Sequence, residues 1–167
     1  MLIIIRNNEY LWCFRVVDKF FDFNGGVASI IGNPQVAGLN TIGSVARILK
    51  NGGAIWAGSK VVLAYNLSFS ILTKITMKVY TNAPVGTTLK LKVKSTSSGA
   101  ANEKDVLTTV SGAWATYTWD FSGDPPVSNV LTFMYGYGVV GDASPSSILY
   151  IADILQANSS GSVARDT

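Results

Sequence analysis

Three aromatic residues of this sequence stand where a flat ring could meet a ligand. Trp56 follows the glycine-rich stretch 51–53, Trp114 follows the turn 111–112, and Tyr80 has outward parity at the end of an alternating segment. An exposed ring packs well on the C–H face of a pyranose, while neighbouring polar groups fix the orientation of the sugar. The competing interpretation is that both tryptophans are buried in the core, because tryptophan is highly buried on average.

Lysines alternate with apolar residues along segments 74–80 and 88–94, which predicts two strands with lysines on their outer side. The short connection 82–86 predicts that the two strands form a hairpin. One face would then carry five of the 13 basic residues: Lys74, Lys78, Lys90, Lys92 and Lys94. We predict that Lys78 and Lys92 bind a glycan, and such a patch would attract an acidic or sulfated polysaccharide. The alternative is a solvated face that prevents edge-to-edge aggregation.

Two aspartates could be ligands of a structural calcium ion. Asp22 lies near the first strand pattern and Asp153 on the last one, and the two could meet in a closed sandwich. Calcium prefers six to eight oxygen ligands, so backbone carbonyls would complete the shell. The alternative is that both residues are ordinary surface acids.

Composition excludes several other kinds of chemistry. The chain has no histidine, which removes histidine acid–base catalysis, and its single cysteine, Cys13, excludes an intrachain disulfide. The ten acidic residues show no motif of the paired carboxylates that hydrolyse glycosidic bonds. Segment 24–26 lacks the lysine and hydroxyl that complete a phosphate-binding loop. We therefore predict that the protein is not an enzyme.

The elements that must position these side chains are strands. No segment has sustained helical periodicity, and short alternating runs are separated by turn signals. A short strand before Gly25 is followed by predicted strands at 27–31, 45–50, 74–80, 88–94, 105–110, 114–121, 130–137 and 148–155. This pattern predicts an all-β fold, a jelly-roll β-sandwich of two antiparallel sheets.

Length and charge set the broad class. At 167 residues one domain is expected, and a net charge of +3 does not by itself indicate nucleic acid. Segment 1–17 is apolar but interrupted at 6–9, so it is not the run of about 20 apolar residues that spans a membrane. We interpret it as an extension that adds a strand, with a degenerate secretory signal as the alternative. Residues 18–156 form the predicted domain, and 157–167 a flexible tail.

Several segments occur in an order typical of one group of proteins. FDFNGG is followed by GNP, GLN and VARILKNGG with WAG, and segments 76–80, 89–92, 114–122 and 149–154 continue the series. Over residues 20–156 the chain resembles the galactose-binding-like, jelly-roll family of carbohydrate-binding modules.

The resemblance implies a non-catalytic polysaccharide-binding module that acts outside the cell or at its surface, beside other domains or within an oligomer. A structural or adhesion domain of a virion or cell-surface assembly, with no glycan site, is the alternative.

Overall fold

The computed structural model describes residues 19–124 and 127–158, which form eleven strands and one short 3-10 helix. The predicted extension 1–17 lies outside the described residues, as does most of the predicted tail. The strands are β1 (Phe20–Phe23), β2 (Gly26–Gly32), β3 (Ser44–Gly52), β4 (Gly58–Ser68), β5 (Lys74–Thr81), β6 (Thr88–Lys94), β7 (Ala101–Leu107), β8 (Ala113–Asp120), β9 (Val127–Tyr135), β10 (Gly141–Asp142) and β11 (Ile148–Ala157), with the 3-10 helix at Pro145–Ser147.

The strands form two antiparallel sheets that pack face to face. The five-stranded sheet has the order β1-β4-β9-β6-β7, and the six-stranded sheet has the order β10-β3-β11-β5-β8, with β2 paired to β3. Consecutive strands repeatedly belong to different sheets, so the chain crosses from one sheet to the other along its length. The predicted all-β sandwich of two antiparallel sheets is confirmed.

The core lies between the sheets and follows the predicted alternation. Leu91 and Leu131 from the five-stranded sheet and Ile75 from the six-stranded sheet are fully buried. Trp119 is buried among them, and its indole N–H donates to the carbonyl of Leu89 across the core at 3.0 Å. A buried tryptophan needs such an acceptor, because an unpaired indole N–H in the core would destabilise the fold.

The predicted hairpin of the two lysine-bearing strands is wrong. β5 pairs with β8 and β11, whereas β6 pairs with β7 and β9, so the two strands lie in different sheets. Each of the two strands has one apolar face. The connection between them lets these apolar faces pack against each other across the core, whereas a hairpin would place the strands next to each other in one sheet. The outward lysines are therefore divided between opposite faces of the molecule, and the predicted single patch of five does not form.

Some strand limits differ from the prediction. β4, the longest strand, falls in a segment for which no strand was predicted, because its apolar run does not alternate cleanly. β7 begins at Ala101, four residues before the predicted strand, and β9 ends at Tyr135, two residues before the predicted end. β11 continues through Ala157, the first residue of the predicted tail. Within the described ranges, the chain has no helix long and apolar enough to span a membrane.

Candidate functional site

An open groove, here called the sheet groove, lies on the outer face of the five-stranded sheet. Its volume of about 860 Å³ is within the range typical of ligand sites. Trp56 and Lys92, two of the predicted binding residues, line it. The other lining residues are Phe21, Asp22, Phe23, Lys60, Val62, Lys94, Thr96, Gly99, Glu103, Val130, Thr132, Met134 and Tyr137.

The strand register arranges the floor of the sheet groove in rows across the sheet. One row runs from Phe21 through Lys60, Thr132 and Lys92 to Glu103, since each residue is the direct partner of the next. A neighbouring row carries Val62, Val130, Lys94 and Ala101. The floor therefore combines a mostly polar row with a mostly apolar one, a mixture that suits a ligand with both hydroxyl groups and C–H faces.

Trp56 stands at one end of the sheet groove on the loop between β3 and β4, with 48% of its surface exposed. The loop is held from below by the β1–β2 turn, since the Ala54 amide donates to the Asn24 carbonyl at 2.9 Å. Gly53 makes this approach possible. It has a φ of +71°, and a Cβ there would lie 1.8 Å from the Asn24 carbonyl oxygen.

Tyr137 lies on the loop after β9 and lines the same groove, with 37% of its surface exposed. Lys90 Nζ lies 4.4 Å from the centroid of its ring, a cation–π contact. Lys90 also pairs with Asp105 at 2.8 Å. Burial lowers the pKa of Lys90, but the hydrogen bond and charge of Asp105 outweigh it and hold the pKa above its usual value. The ammonium therefore stays charged beside the ring.

Acidic partners neutralise part of the charge in the sheet groove. Lys92 pairs with Glu103 at 3.2 Å. Asp22 accepts hydrogen bonds from the Ser59 hydroxyl at 2.6 Å and from the Ala28 amide at 3.0 Å. Lys60 forms no ion pair with a described residue, and neither does the exposed Lys94, so the groove has only a small positive excess.

Trp114 and Tyr80 lie on the opposite side of the molecule, on the outer face of the six-stranded sheet. Trp114 is only 8% exposed, and its indole N–H donates to the Gln35 carbonyl at 2.7 Å. The half-buried Tyr80 packs against Trp114 at 5.7 Å and against Tyr150 at 5.8 Å between ring centroids. The loop 33–43 therefore covers Trp114, and its indole is not free to stack on a sugar as predicted.

Lys78 and Asp153 form a 2.6 Å ion pair on the face of the six-stranded sheet. Asp153 thus has a cationic partner in the sheet opposite to the one that holds Asp22. Within residues 19–124 and 127–158, no three carboxylate, cysteine or histidine side chains cluster around a metal-sized space. Asp22 and Asp153 do not fit the shared calcium site that we predicted, because the sandwich separates β1 from β11.

The structure divides the predicted binding residues between two surfaces and adds others to the groove. Trp56 and Lys92 lie together, whereas Tyr80, Trp114 and Lys78 lie on the other sheet. Groove residues absent from the predicted site include Phe21, Phe23, Lys60 and Tyr137. Phe21 and Phe23 flank Asp22, so their two rings lie on the same side of the strand. This spacing could have identified them as a pair of aromatic residues that share one surface. Tyr137, the last residue of the predicted strand 130–137, lies on a loop because β9 ends at Tyr135.

The overall fold is similar to that of solved carbohydrate-binding modules. A family 11 module from Clostridium thermocellum, in complex with a β-1,3-1,4-mixed-linked tetrasaccharide, is 14% identical, with a TM-score of 0.57 over 86% of this chain and 91% of that one. A variant of a family 29 module is 14% identical, with a TM-score of 0.53 over 100% and 96% of the two chains. The family 11 module of a cellulosomal cellulase from the same organism is 15% identical, with a TM-score of 0.52 over 81% and 84%.

No family model matches the sequence, and no curated protein does. At these identities the structural similarity establishes the fold. The chain therefore folds as a jelly-roll β-sandwich of the kind found in family 11 and family 29 carbohydrate-binding modules.

Proposed function

We propose that the protein is a non-catalytic module that binds a polysaccharide in the sheet groove. The observation that carries this proposal is the half-exposed Trp56 at the end of a groove of about 860 Å³. A large aromatic side chain that remains half exposed leaves apolar surface in water, and a sugar ring is the kind of flat C–H surface that covers it. The fold shared with solved carbohydrate-binding modules supports the same function.

Aromatic and polar groups would divide the work of binding. Trp56 and Tyr137 place partly exposed rings at one end of the sheet groove, and Phe21, 40% exposed, places another on the edge strand β1. Lys60 and Thr132 lie between them and donate to sugar hydroxyls. From the row of Lys90 to the row of Lys94 the floor extends about 13 Å along the strands, long enough for more than one sugar ring.

The charge of the groove favours a neutral glycan over the acidic one that the predicted lysine patch suggested. Three lysines line the groove, at positions 60, 92 and 94, against two acids, Asp22 and Glu103. Lys92 already has Glu103 as a partner, and Lys74 and Lys78 lie on the other face. If the glycan is neutral, we expect its affinity to change little with salt concentration, because there is no strong charge attraction for salt to screen.

The positions of the acids in the sheet groove support binding without hydrolysis. Asp22 lies on β1 and Glu103 on β7, the two edges of the five-stranded sheet. Four strand spacings separate these edges, about 19 Å. Glycosidases hold their two carboxyl groups roughly 5 to 9.5 Å apart, so these two cannot act on one bond.

A polymeric partner also suggests that the protein acts outside the cell or at its surface.

The test is a binding panel with matched variants. The wild-type protein is titrated with mixed-linkage β-glucan, hydroxyethylcellulose, polygalacturonate and dextran sulfate at low and high salt. We expect binding to at least one neutral glucan, a loss of at least tenfold in Trp56→Ala, and an unchanged melting temperature in that variant. Trp114→Phe, which alters an aromatic residue on the opposite face, is the control and should bind like wild type. Failure of the wild type to bind any member of the panel, or equal binding by Trp56→Ala, would refute the proposal.

A further inference from the structure

A buried lysine is hydrogen-bonded to the loops at the aromatic end of the sheet groove. Lys50, near the end of β3, is 3% exposed. Its ammonium donates to the carbonyls of Ile55 at 2.8 Å, Gly136 at 2.9 Å and Tyr135 at 3.3 Å. Three acceptors match the three donors of an ammonium group. Lys50 has no carboxylate partner among the described residues, and burial lowers its pKa.

Two of the three carbonyls that Lys50 binds belong to the loops that carry the groove aromatics, and the third, that of Tyr135, ends β9. Ile55 directly precedes Trp56, and Gly136 directly precedes Tyr137. The Ile55 carbonyl also accepts a hydrogen bond from the Gly138 amide at 3.2 Å. One side chain and one amide thus tie together two loops that are about 80 residues apart in sequence.

Packing alone does not fix the positions of these loops. Ile55 is 39% exposed and Trp56 48% exposed, so neither side chain is anchored in the core. The backbone must be held by polar contacts, and both loops are joined by the bonds to the Lys50 ammonium together with the Gly138–Ile55 hydrogen bond. Burying a charged group without an acidic partner costs free energy of folding. This cost argues that Lys50 does more than stabilise the fold.

We propose that Lys50 is a positioning residue that holds Trp56 and Tyr137 at a fixed separation before the glycan arrives. The inference rests on the proposed function of the sheet groove. A groove whose aromatic platforms are already ordered loses less conformational entropy on binding, so its affinity is higher. Without the ammonium, the two loops keep the Gly138–Ile55 hydrogen bond but lose the bonds from Lys50 to Ile55 and Gly136. Trp56 then samples orientations that do not match the ligand.

The experiment uses Lys50→Met, which keeps the apolar stem and removes the ammonium, with Lys78→Met as the matched control on the opposite face. Lys50→Arg tests whether another cationic donor restores the anchor. The protein is labelled with 5-fluorotryptophan, and the fluorine signal of Trp56 is assigned as the one missing in Trp56→Phe. Binding to mixed-linkage β-glucan is measured on the same samples.

We expect Lys50→Met to bind the glucan at least tenfold more weakly, with a shifted or broadened Trp56 signal and an unchanged Trp119 signal. Lys50→Arg should recover part of the affinity, and Lys78→Met should match wild type in both measurements. Binding within twofold of wild type, an unchanged Trp56 signal, or equal changes in the Trp56 and Trp119 signals would each overturn the proposal.

Two outcomes need a second measurement: a Lys50→Met protein that does not fold, and a wild-type protein that binds no glucan. If Lys50→Met does not fold, Lys50→Gln, which is too short to reach both loops, is measured by the same criteria. If the wild type binds no glucan, the proposed function fails by itself, while the fluorine spectra of the free proteins still decide whether Lys50 positions Trp56.

Discussion

The two outer faces of the sandwich carry similar side chains in different environments. On the five-stranded sheet, Trp56 and Tyr137 remain partly exposed around an open groove. On the six-stranded sheet, Tyr80 and Trp114 pack on each other, and the loop 33–43 covers the tryptophan. The difference is made by the loops, since one sheet has a loop folded over its aromatics and the other has loops that present them at a rim.

Ion pairs occur on both faces, and Lys92 pairs with Glu103 on the five-stranded sheet at 3.2 Å. Lys78 is held by Asp153 on the six-stranded sheet at 2.6 Å. Lys60 and Lys94 line the groove of the five-stranded sheet without a described acidic partner. Residue type therefore identifies candidates for binding, and the availability of each side chain to a ligand decides between them. Variants that separate stability from binding test this contrast.

The largest expected effect is on stability, from Trp114→Ala. Removal of this buried ring leaves a cavity beneath the loop 33–43 and the Gln35 carbonyl without its donor, at a cost of about 3 to 5 kcal/mol. Chemical denaturation measures the loss, and glycan binding by the folded fraction should stay within twofold of wild type. A Trp114→Ala protein as stable as wild type would break the contrast between a covered face and an open one.

The next effect concerns the hydrogen bond that links the two sheets. The Tyr135 hydroxyl on β9 lies 2.7 Å from Thr81 Oγ1 on β5, and burial raises the pKa of Tyr135 to about 12. Between pH 10 and 12 the unfolded chain releases this proton while the folded protein retains it, so stability falls as pH rises, by up to about 1.4 kcal/mol per pH unit.

Tyr135→Phe removes this contribution. The difference in unfolding free energy between wild type and Tyr135→Phe should shrink as pH is raised from 9 to 11 in a series of denaturant titrations. Other groups titrate equally in both proteins, so the difference isolates the tyrosine. A difference that stays constant across this range would contradict the buried, neutral state of Tyr135.

The smallest effects come from a pair of lysine variants. Lys78→Ala breaks the partly buried ion pair with Asp153 and should cost about 1 kcal/mol without altering glycan binding. Lys92→Ala should have the opposite profile, a several-fold weaker affinity with little change in stability, because its side chain lines the sheet groove. Reversed profiles in calorimetry and denaturation would place the binding surface on the six-stranded sheet.

The sequence predicted the strands better than it predicted their partners. Period-two alternation identified β5, β6 and β8 almost to the residue, because it depends only on which side of a strand is apolar. The same alternation is compatible with a hairpin or with two strands facing each other across a core, so the lysines were placed on one face in error. Local sequence does not contain the pairing, which is decided by contacts with β9 and β11.

The site was half predictable for the same reason. A tryptophan beside glycines can be exposed or covered, and Trp56 and Trp114 share that local pattern. Whether Trp114 is covered depends on Gln35, which is 79 residues away. The anchoring role proposed for Lys50 depends on carbonyls up to 86 residues away, and no motif around Lys50 indicates it.

A titration of the ¹⁵N-labelled protein with a β-1,3-1,4-mixed-linked tetrasaccharide, followed by amide chemical shifts, tests the central assignment most directly. We predict that shifts cluster on the outward residues of β4, β6 and β9 and on the loops around Trp56 and Tyr137, with β5, β8 and β11 unaffected. Shifts centred on β8, β11 and the loop 33–43, or no shifts at saturating sugar, would contradict the assignment of the sheet groove as the glucan-binding site.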